Sequence, residues 1–208
     1  MLLGIDASRS TGTIQKTGVE KVSDEIIKGV MNYELGIKDK IGFVLYTPKE
    51  IDWLPKRSQR VLNWPFKYLW TQLRLAWELL FHPPDKLFVP VHKIPFALFI
   101  IPNSLSIYTI IHDIAFKYHP ESYSFWQRLY LNFDLKRCLK KCKKIFVPSQ
   151  KVKDDLLKYI KTGSNKIIVI PHGYSRKCTK SLSAIALAKA DKRKQILYLS
   201  LIHISEPK

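Results

Sequence analysis

The segment Ile107-Tyr108-Thr109-Ile110-Ile111-His112-Asp113-Ile114-Ala115-Phe116 constrains the fold more than any other part of the chain. Five β-branched or aromatic residues run without a break into a histidine and an aspartate. An apolar run this short and this rich in Ile predicts a strand buried on both faces, the kind found in parallel sheets. Ligands of open α/β sheets bind just beyond the carboxyl ends of such strands. His112 and Asp113 occupy that place, and Pro120 to Tyr123 mark the turn into the next helix. A histidine there can also serve by bonding the backbone alone, so the pair admits a chemical role and a strand-capping one.

The rest of the chain repeats the strand–helix alternation. Leu2 to Ala7 reads as a first strand, followed by a loop of small and polar residues from Ser8 to Lys16. Thr17 and Glu20 have capping-box spacing, in which the hydroxyl accepts from the Glu20 amide and the carboxylate reaches back to the Thr17 amide. Val19, Val22, Ile26 and Val30 follow at helical spacing. A strand, a loop with Gly12, and a helix opening near Gly18 make a plausible phosphate cradle, although the G-x-G-x-x-G fingerprint is missing. Ile41 to Tyr46 is a second strand. Ile51 to Asn63, polar and basic around Pro55, reads as a loop. Phe66 to Phe81 reads as an amphipathic helix, with Lys67, Thr71, Arg74 and Glu78 as its polar stripe. Phe66, Leu69, Trp70, Leu73, Trp77 and Leu80 form the apolar stripe, expected to pack on the sheet, with a membrane surface as the alternative.

Lys86 to Pro90 is a third strand, ending near His92. Tyr123 to Cys142 is a long helix. It closes on Lys136, Arg137, Lys140, Lys141, Lys143 and Lys144, more cations than the helix dipole needs, which suggests a surface that meets anions. Cys138 and Cys142 lie one turn apart, and without further ligands at metal spacing they read as packing residues, with no metal site expected. Ile145 to Pro148 is a strand, Ser149 caps a helix from Gln150 to Ile160, and Lys166 to Ile170 leads into Pro171-His172-Gly173. Arg176 to Lys194 has linker composition, and Gln195 to Leu199 starts a new strand. Alternation throughout implies right-handed βαβ units and an α/β, Rossmann-like parallel sheet with helices on both faces.

Charge and composition then bound the function. Of the 208 residues, 35 are Lys or Arg and 17 are Asp or Glu, a formal charge of +18 that calls for an anionic partner. Nothing at the N-terminus resembles a signal peptide, and the longest apolar run is interrupted by Pro95, so a cytoplasmic setting is expected. The charge is spread over helix ends and no recognised nucleic-acid motif occurs, so nucleic acid is not the expected partner.

Six motifs in order resemble the N-terminal half of a family 4 retaining glycosyltransferase with the two-domain GT-B fold, mannosyltransferase-like members above all. They are Gly4 to Arg9, Thr17 to Glu20, Leu87 to His92, Thr109 to Phe116, Val147-Pro148-Ser149 with Asp154-Asp155-Leu156, and Ile168 to Gly173. The resemblance covers residues 1 to 175. It implies an acceptor-binding domain here, with a nucleotide-sugar donor, GDP- or UDP-linked, held mainly by a C-terminal domain. It implies catalytic roles for His112 and Asp113, His112 next to the donor sugar. It places Gly12, Thr17, Gly18, His92, Ser149, His172 and Gly173 around the substrates and the donor phosphates, with no metal or other cofactor. A glycan or lipid-linked acceptor, synthesis of envelope or exopolysaccharide, and attachment to the inner face of the cell membrane are the corresponding expectations. The family's donor domain is expected to lie outside this chain. The tail from Leu199 to Lys208 departs from the family's pattern and reads as not native, so this chain alone is expected to be inactive. Rival readings are a non-catalytic basic module binding nucleic acid or membrane, and another Rossmann-type nucleotide-sugar enzyme such as an epimerase.

Overall fold

The computed structural model describes residues 1–11, 17–34, 42–66, 69–96, 105–159 and 164–171. In chain order the elements are β1 (Leu2–Asp6), α1 (Gly18–Glu34), β2 (Gly42–Thr47), β3 (Gln59–Val61), a π-helical segment Trp70–Leu75 continuing into α2 (Ala76–Phe81), and β4 (Lys86–Val89). Then come β5 (Ser106–Ile110), α3 (Ala115–Tyr118), α4 (Phe125–Lys141), β6 (Lys144–Val147), α5 (Gln150–Tyr159) and β7 (Ile167–Val169). The predicted linker at 176–194 and the strand at 195–199 lie outside the described residues.

All seven strands form one parallel sheet in the order β3-β2-β1-β4-β5-β6-β7. Successive side chains point to opposite faces, so each strand feeds two cores. Leu87 and Val89, Ile107, and Ile145 with Val147 join one cluster, to which the helices contribute Leu79, Leu135, Leu139 and Leu156. Phe88, Tyr108 with Ile110, and Phe146 join the other, beneath Ile26, Ile27 and Val30 of α1. Helices therefore cover both faces, and Ile107 through Ile111 are buried as the uninterrupted run predicts. Pro90, Pro148 and Pro171 follow β4, β6 and β7. Proline has no N–H to donate, so these residues help end the ladders at the carboxyl edge.

Three expectations are corrected. The loop predicted over 51–63 contains β3, an edge strand only three residues long, too short to show alternation. Its Gln59 side chain bonds the Ile51 amide and the Ile51 and Leu54 carbonyls, each at 2.9 Å. The helix predicted from Phe66 starts at Trp70, after Leu69 at φ 65°. Its buried residues are Trp70, Leu75, Ala76 and Leu79, whereas Phe66, Leu69, Leu73 and Trp77 are exposed. The i→i+5 pattern of the π segment separates Trp70 and Leu75 by one wide turn and rotates the stripe that α-helical spacing assigns to the core. Glu78, predicted to be solvated, is buried and pairs with Arg60 at 2.6 Å, Arg74 at 3.1 Å and His82 at 3.3 Å.

The third correction concerns the cationic end of the long helix. Helix α4 starts at Phe125, capped by Ser124 in a reciprocal capping box with Gln127, not at Tyr123. Arg137, counted among its surface cations, is 3 % exposed. One turn of helix carries Asp134 and Arg137 inward together, and the ion pair at 3.2 Å lets both be buried.

Candidate active site at the carboxyl edge

The strand order reverses direction between β1 and β4, because β1 leads outward to β2 and β3 while β4 leads the other way to β7. Such a switch point leaves a crevice at the carboxyl edge where no connection crosses. Three segments meet there: the turn after β1, residues 90–96 after β4, and residues 111–114 after β5.

Residues 90–96 form no regular structure in their greater part, yet their carbonyls accept side-chain donors from neighbouring elements. His112 Nε2 lies 3.0 Å from Pro90 O. Thr109 Oγ1 donates to Val91 O at 3.0 Å, and Cys138 Sγ to His92 O at 2.9 Å. Arg137 reaches Pro95 O at 2.7 Å and Ile94 O at 3.4 Å, with its guanidinium 4.1 Å from the Phe96 ring centroid. Gln72 closes the strap, accepting from Phe96 N at 2.7 Å. Cys138 and Cys142 are both buried thiols in the core, as packing residues should be.

His112 thus has the backbone contact that capping requires and the position that chemistry requires. A carbonyl partner demands the proton on Nε2 and fixes the ring plane. Burial lowers its pKa, against the pull of that carbonyl and of Asp113, so the ring is held towards neutrality. His92 is driven further, down to about 4, first by burial and then by the charges of Lys93, His112 and Arg9. Asp113 is exposed and its Oδ1 accepts from Ala115 N at 3.0 Å, forming the turn that starts α3. The charges of His112 and Asp113 both register on His92, and that of Asp113 on His112.

The remaining predicted residues are distributed differently. Thr17 makes the capping box at the start of α1, its amide 2.8 Å from Glu20 Oε2 and its Oγ1 3.4 Å from Glu20 N. Gly18 is exposed, and a Cβ built there would meet nothing within 4 Å, so an approaching group has space. Ser149 is two strands away from β4 and caps α5 through Val152 N at 3.3 Å. Gly12, His172 and Gly173 lie outside the described residues. Sequence reading missed Arg9, Lys93, Thr109, Arg137 and Cys138. The position of Arg9 and Lys93, three and four residues past the ends of β1 and β4, is the signal that would have drawn attention to them.

Residues 46–176 match the family model described as Glycosyltransferase Family 4. The chain is 32% identical over 134 residues to the O-antigen chain mannosyltransferase RfbU of Salmonella typhimurium, covering 64% of this chain and 35% of that protein. Its fold resembles that of Anabaena HepE, solved in complex with UDP-glucose, at TM-score 0.52 and 16% identity, over 94% of this chain and 49% of HepE. It also resembles WaaG, a glycosyltransferase involved in lipopolysaccharide biosynthesis, at TM-score 0.56 and 15% identity, over 92% of this chain and 51% of WaaG. The chain therefore spans about a third of RfbU and about half of each solved structure. With a match across more than half of its length and the sheet order described above, the chain belongs to glycosyltransferase family 4.

Proposed function

We propose that this chain is the acceptor-side half of a retaining glycosyltransferase. The enzyme moves a hexose, mannose in the first instance, from a GDP- or UDP-linked donor to a glycan or lipid-linked acceptor of an envelope polysaccharide. The observation that carries the reading is His112, held by Pro90 O just after the buried run Ile107 to Ile111, beside the switch point. A rigid, near-neutral imidazole there suits a contact with the donor sugar near its reacting carbon, where positioned polar groups stabilise developing charge. Asp113 orients the adjacent turn, and the open backbone at Gly18, at the positive end of α1, favours the departing phosphate. In the complete enzyme His112→Ala should lower kcat about 10²-fold, the size of a lost transition-state contact, with an unchanged unfolding transition. Normal turnover would refute the assignment.

We also propose that the protein works against an anionic membrane face. Support comes from the charge of +18 and from two exposed stripes: Leu69 with Leu73, Trp77 and Phe81 of the helix that follows it, and Phe125, Trp126, Leu129 and Phe133 on α4. Each of these residues is at least 50% exposed, and Phe96 links the two helices through Gln72 and the Tyr130 ring. Among the described residues no helix is long and apolar enough to cross a membrane. Aromatic residues beside cations suit an interface with anionic lipid. Binding to phosphatidylglycerol vesicles should exceed binding to phosphatidylcholine vesicles and fall about tenfold in the Trp77→Ser, Trp126→Ser double variant. Equal binding to both vesicles would sink the idea.

A further inference from the structure

Every buried residue of α4 lies in its second half, from Asp134 to Leu139. The first half stands over α3 and the turn that follows it, and the two enclose an open cavity of about 290 Å³. One wall is Phe125, Arg128, Leu129 and Asn132 of α4. These positions are i, i+3, i+4 and i+7, so one helix face presents them together. Phe116 and Lys117 of α3 line the other side. Ligand pockets run from about 300 to 1,000 Å³, so this one has room for a small headgroup and little more.

The lining has a definite chemistry. Arg128 is half-buried, yet among the described residues its guanidinium makes no ion pair and no hydrogen bond. Lys117 is half-buried too, with Nζ 5.8 Å from the centroid of the Phe116 ring. That ring is itself buried and meets Tyr123 edge-on at 6.5 Å, which fixes this part of the lining. Asn132 Nδ2 donates to Arg128 O at 2.7 Å, so the amide is held in place with its second N–H left for a ligand. Among the described residues no carboxylate lines the cavity. Glu121 and Asp155, on the neighbouring elements, are engaged with His119 at 3.3 Å and Lys151 at 3.5 Å. A half-buried guanidinium without a counter-charge favours an arriving anion.

Two features choose among anions. Phe125 and Leu129 belong both to the cavity wall and to the exposed apolar stripe of α4. An occupant whose charge meets Arg128 and Lys117 therefore continues onto apolar surface, as an amphiphile does and a free phosphate does not. A zwitterionic headgroup would bring its own ammonium to a lining of two cations and no carboxylate. We infer that the cavity between α3 and α4 is a site for the headgroup of one anionic phospholipid. Arg128, Lys117 and the Asn132 amide hold its phosphate, and its chains lie along Phe125 and Leu129. Such a site saturates at one lipid per chain, unlike the general attraction of a basic protein to a charged surface. The choice of a lipid rests on the proposed membrane-facing role of α4, whereas the anion site does not.

Dihexanoylphosphatidylglycerol, kept below its micellar concentration and titrated calorimetrically into the 208-residue chain, tests the site without a bilayer. One molecule per chain should bind, with a dissociation constant on the order of 100 μM. Dihexanoylphosphatidylcholine should bind about tenfold more weakly or worse, and so should glycerol 3-phosphate, which has no chains to bury. Arg128→Gln and Lys117→Gln should each weaken binding about tenfold, with Arg128→Lys recovering part of the loss. Lys140→Gln, exposed at the far end of α4, removes the same charge and should bind like the wild type. Thermal melting reports whether each variant is folded. Equal affinity for the two lipids, or wild-type affinity in Arg128→Gln, would overturn the site. Glycerol 3-phosphate binding as tightly as the lipid would overturn the lipid assignment. A preference for phosphatidylglycerol vesicles with no binding of the soluble lipid refutes the site and leaves the membrane reading standing. Soluble-lipid binding that is lost in Arg128→Gln, without any vesicle preference, keeps the site and refutes that reading.

Discussion

The connections that follow β4 and β5 leave the same edge of the sheet one strand apart, and they are held in opposite ways. The turn at 113–115 is closed by its own residues, Asp113 bonding the amide two residues on, just past the point where Ile111 N continues the β5 ladder to Phe146 O at 2.9 Å. Residues 90–96 are set almost wholly from outside, by side chains at 72, 109, 112, 137 and 138. A turn closed by local bonds forms wherever its few residues permit. A strap closed by distant donors forms only once β5 and α4 have packed. Its geometry, including the placing of His92 and Lys93, therefore depends on the fold being complete.

The largest expected effect comes from removing the strap's main donor. Arg137→Met leaves Asp134 buried without its partner and two carbonyls without theirs, so it should cost about 3 kcal/mol or more in urea unfolding. The penalty has a pH sign. The folded pKa of Asp134 is raised to about 7 from 3.8, so the folded state keeps a proton that the unfolded chain releases. That contribution is present below about pH 4 and lost as pH rises through about 7. Without Arg137 the carboxyl moves higher still, so the variant should lose more stability at pH 8 than at pH 5. Replacing Asp134 by Asn as well should restore part of the loss. A cost under 1 kcal/mol, independent of pH, would mean that the strap holds itself.

The contrast also explains what could be read from the chain. The parallel sheet, the caps at Thr17 and Ser149, and His112 at a strand end follow from contiguous residues, and the structure has all of them. Arg137 could not be read this way. In sequence it is one cation among six, and only the packing of α4 over the 90–96 segment turns it inward. The same holds for Trp77 and Leu73, whose exposure depends on a π-helical turn that no α-helical periodicity anticipates. Three residues of β3 gave no pattern at all, because an edge strand of that length pairs through its backbone.

The smallest expected effect belongs to the locally closed turn. Asp113→Ala removes one bond to the Ala115 amide, at an exposed position where water can replace the carboxylate. The cost should be about 1 kcal/mol or less, comparable to losing a helix cap. Asp113→Asn keeps an oxygen at the same place and should unfold like the wild type. In the complete enzyme the two variants separate orientation from charge. If Asp113 serves only to set the turn after His112, the asparagine variant retains turnover and the alanine variant loses a modest part of it. If the carboxylate itself acts on the substrate, both variants lose turnover alike while stability separates them. A loss of several kcal/mol in Asp113→Ala would break the comparison, because the turn after β5 would then depend on contacts as distant as those that hold the strap after β4.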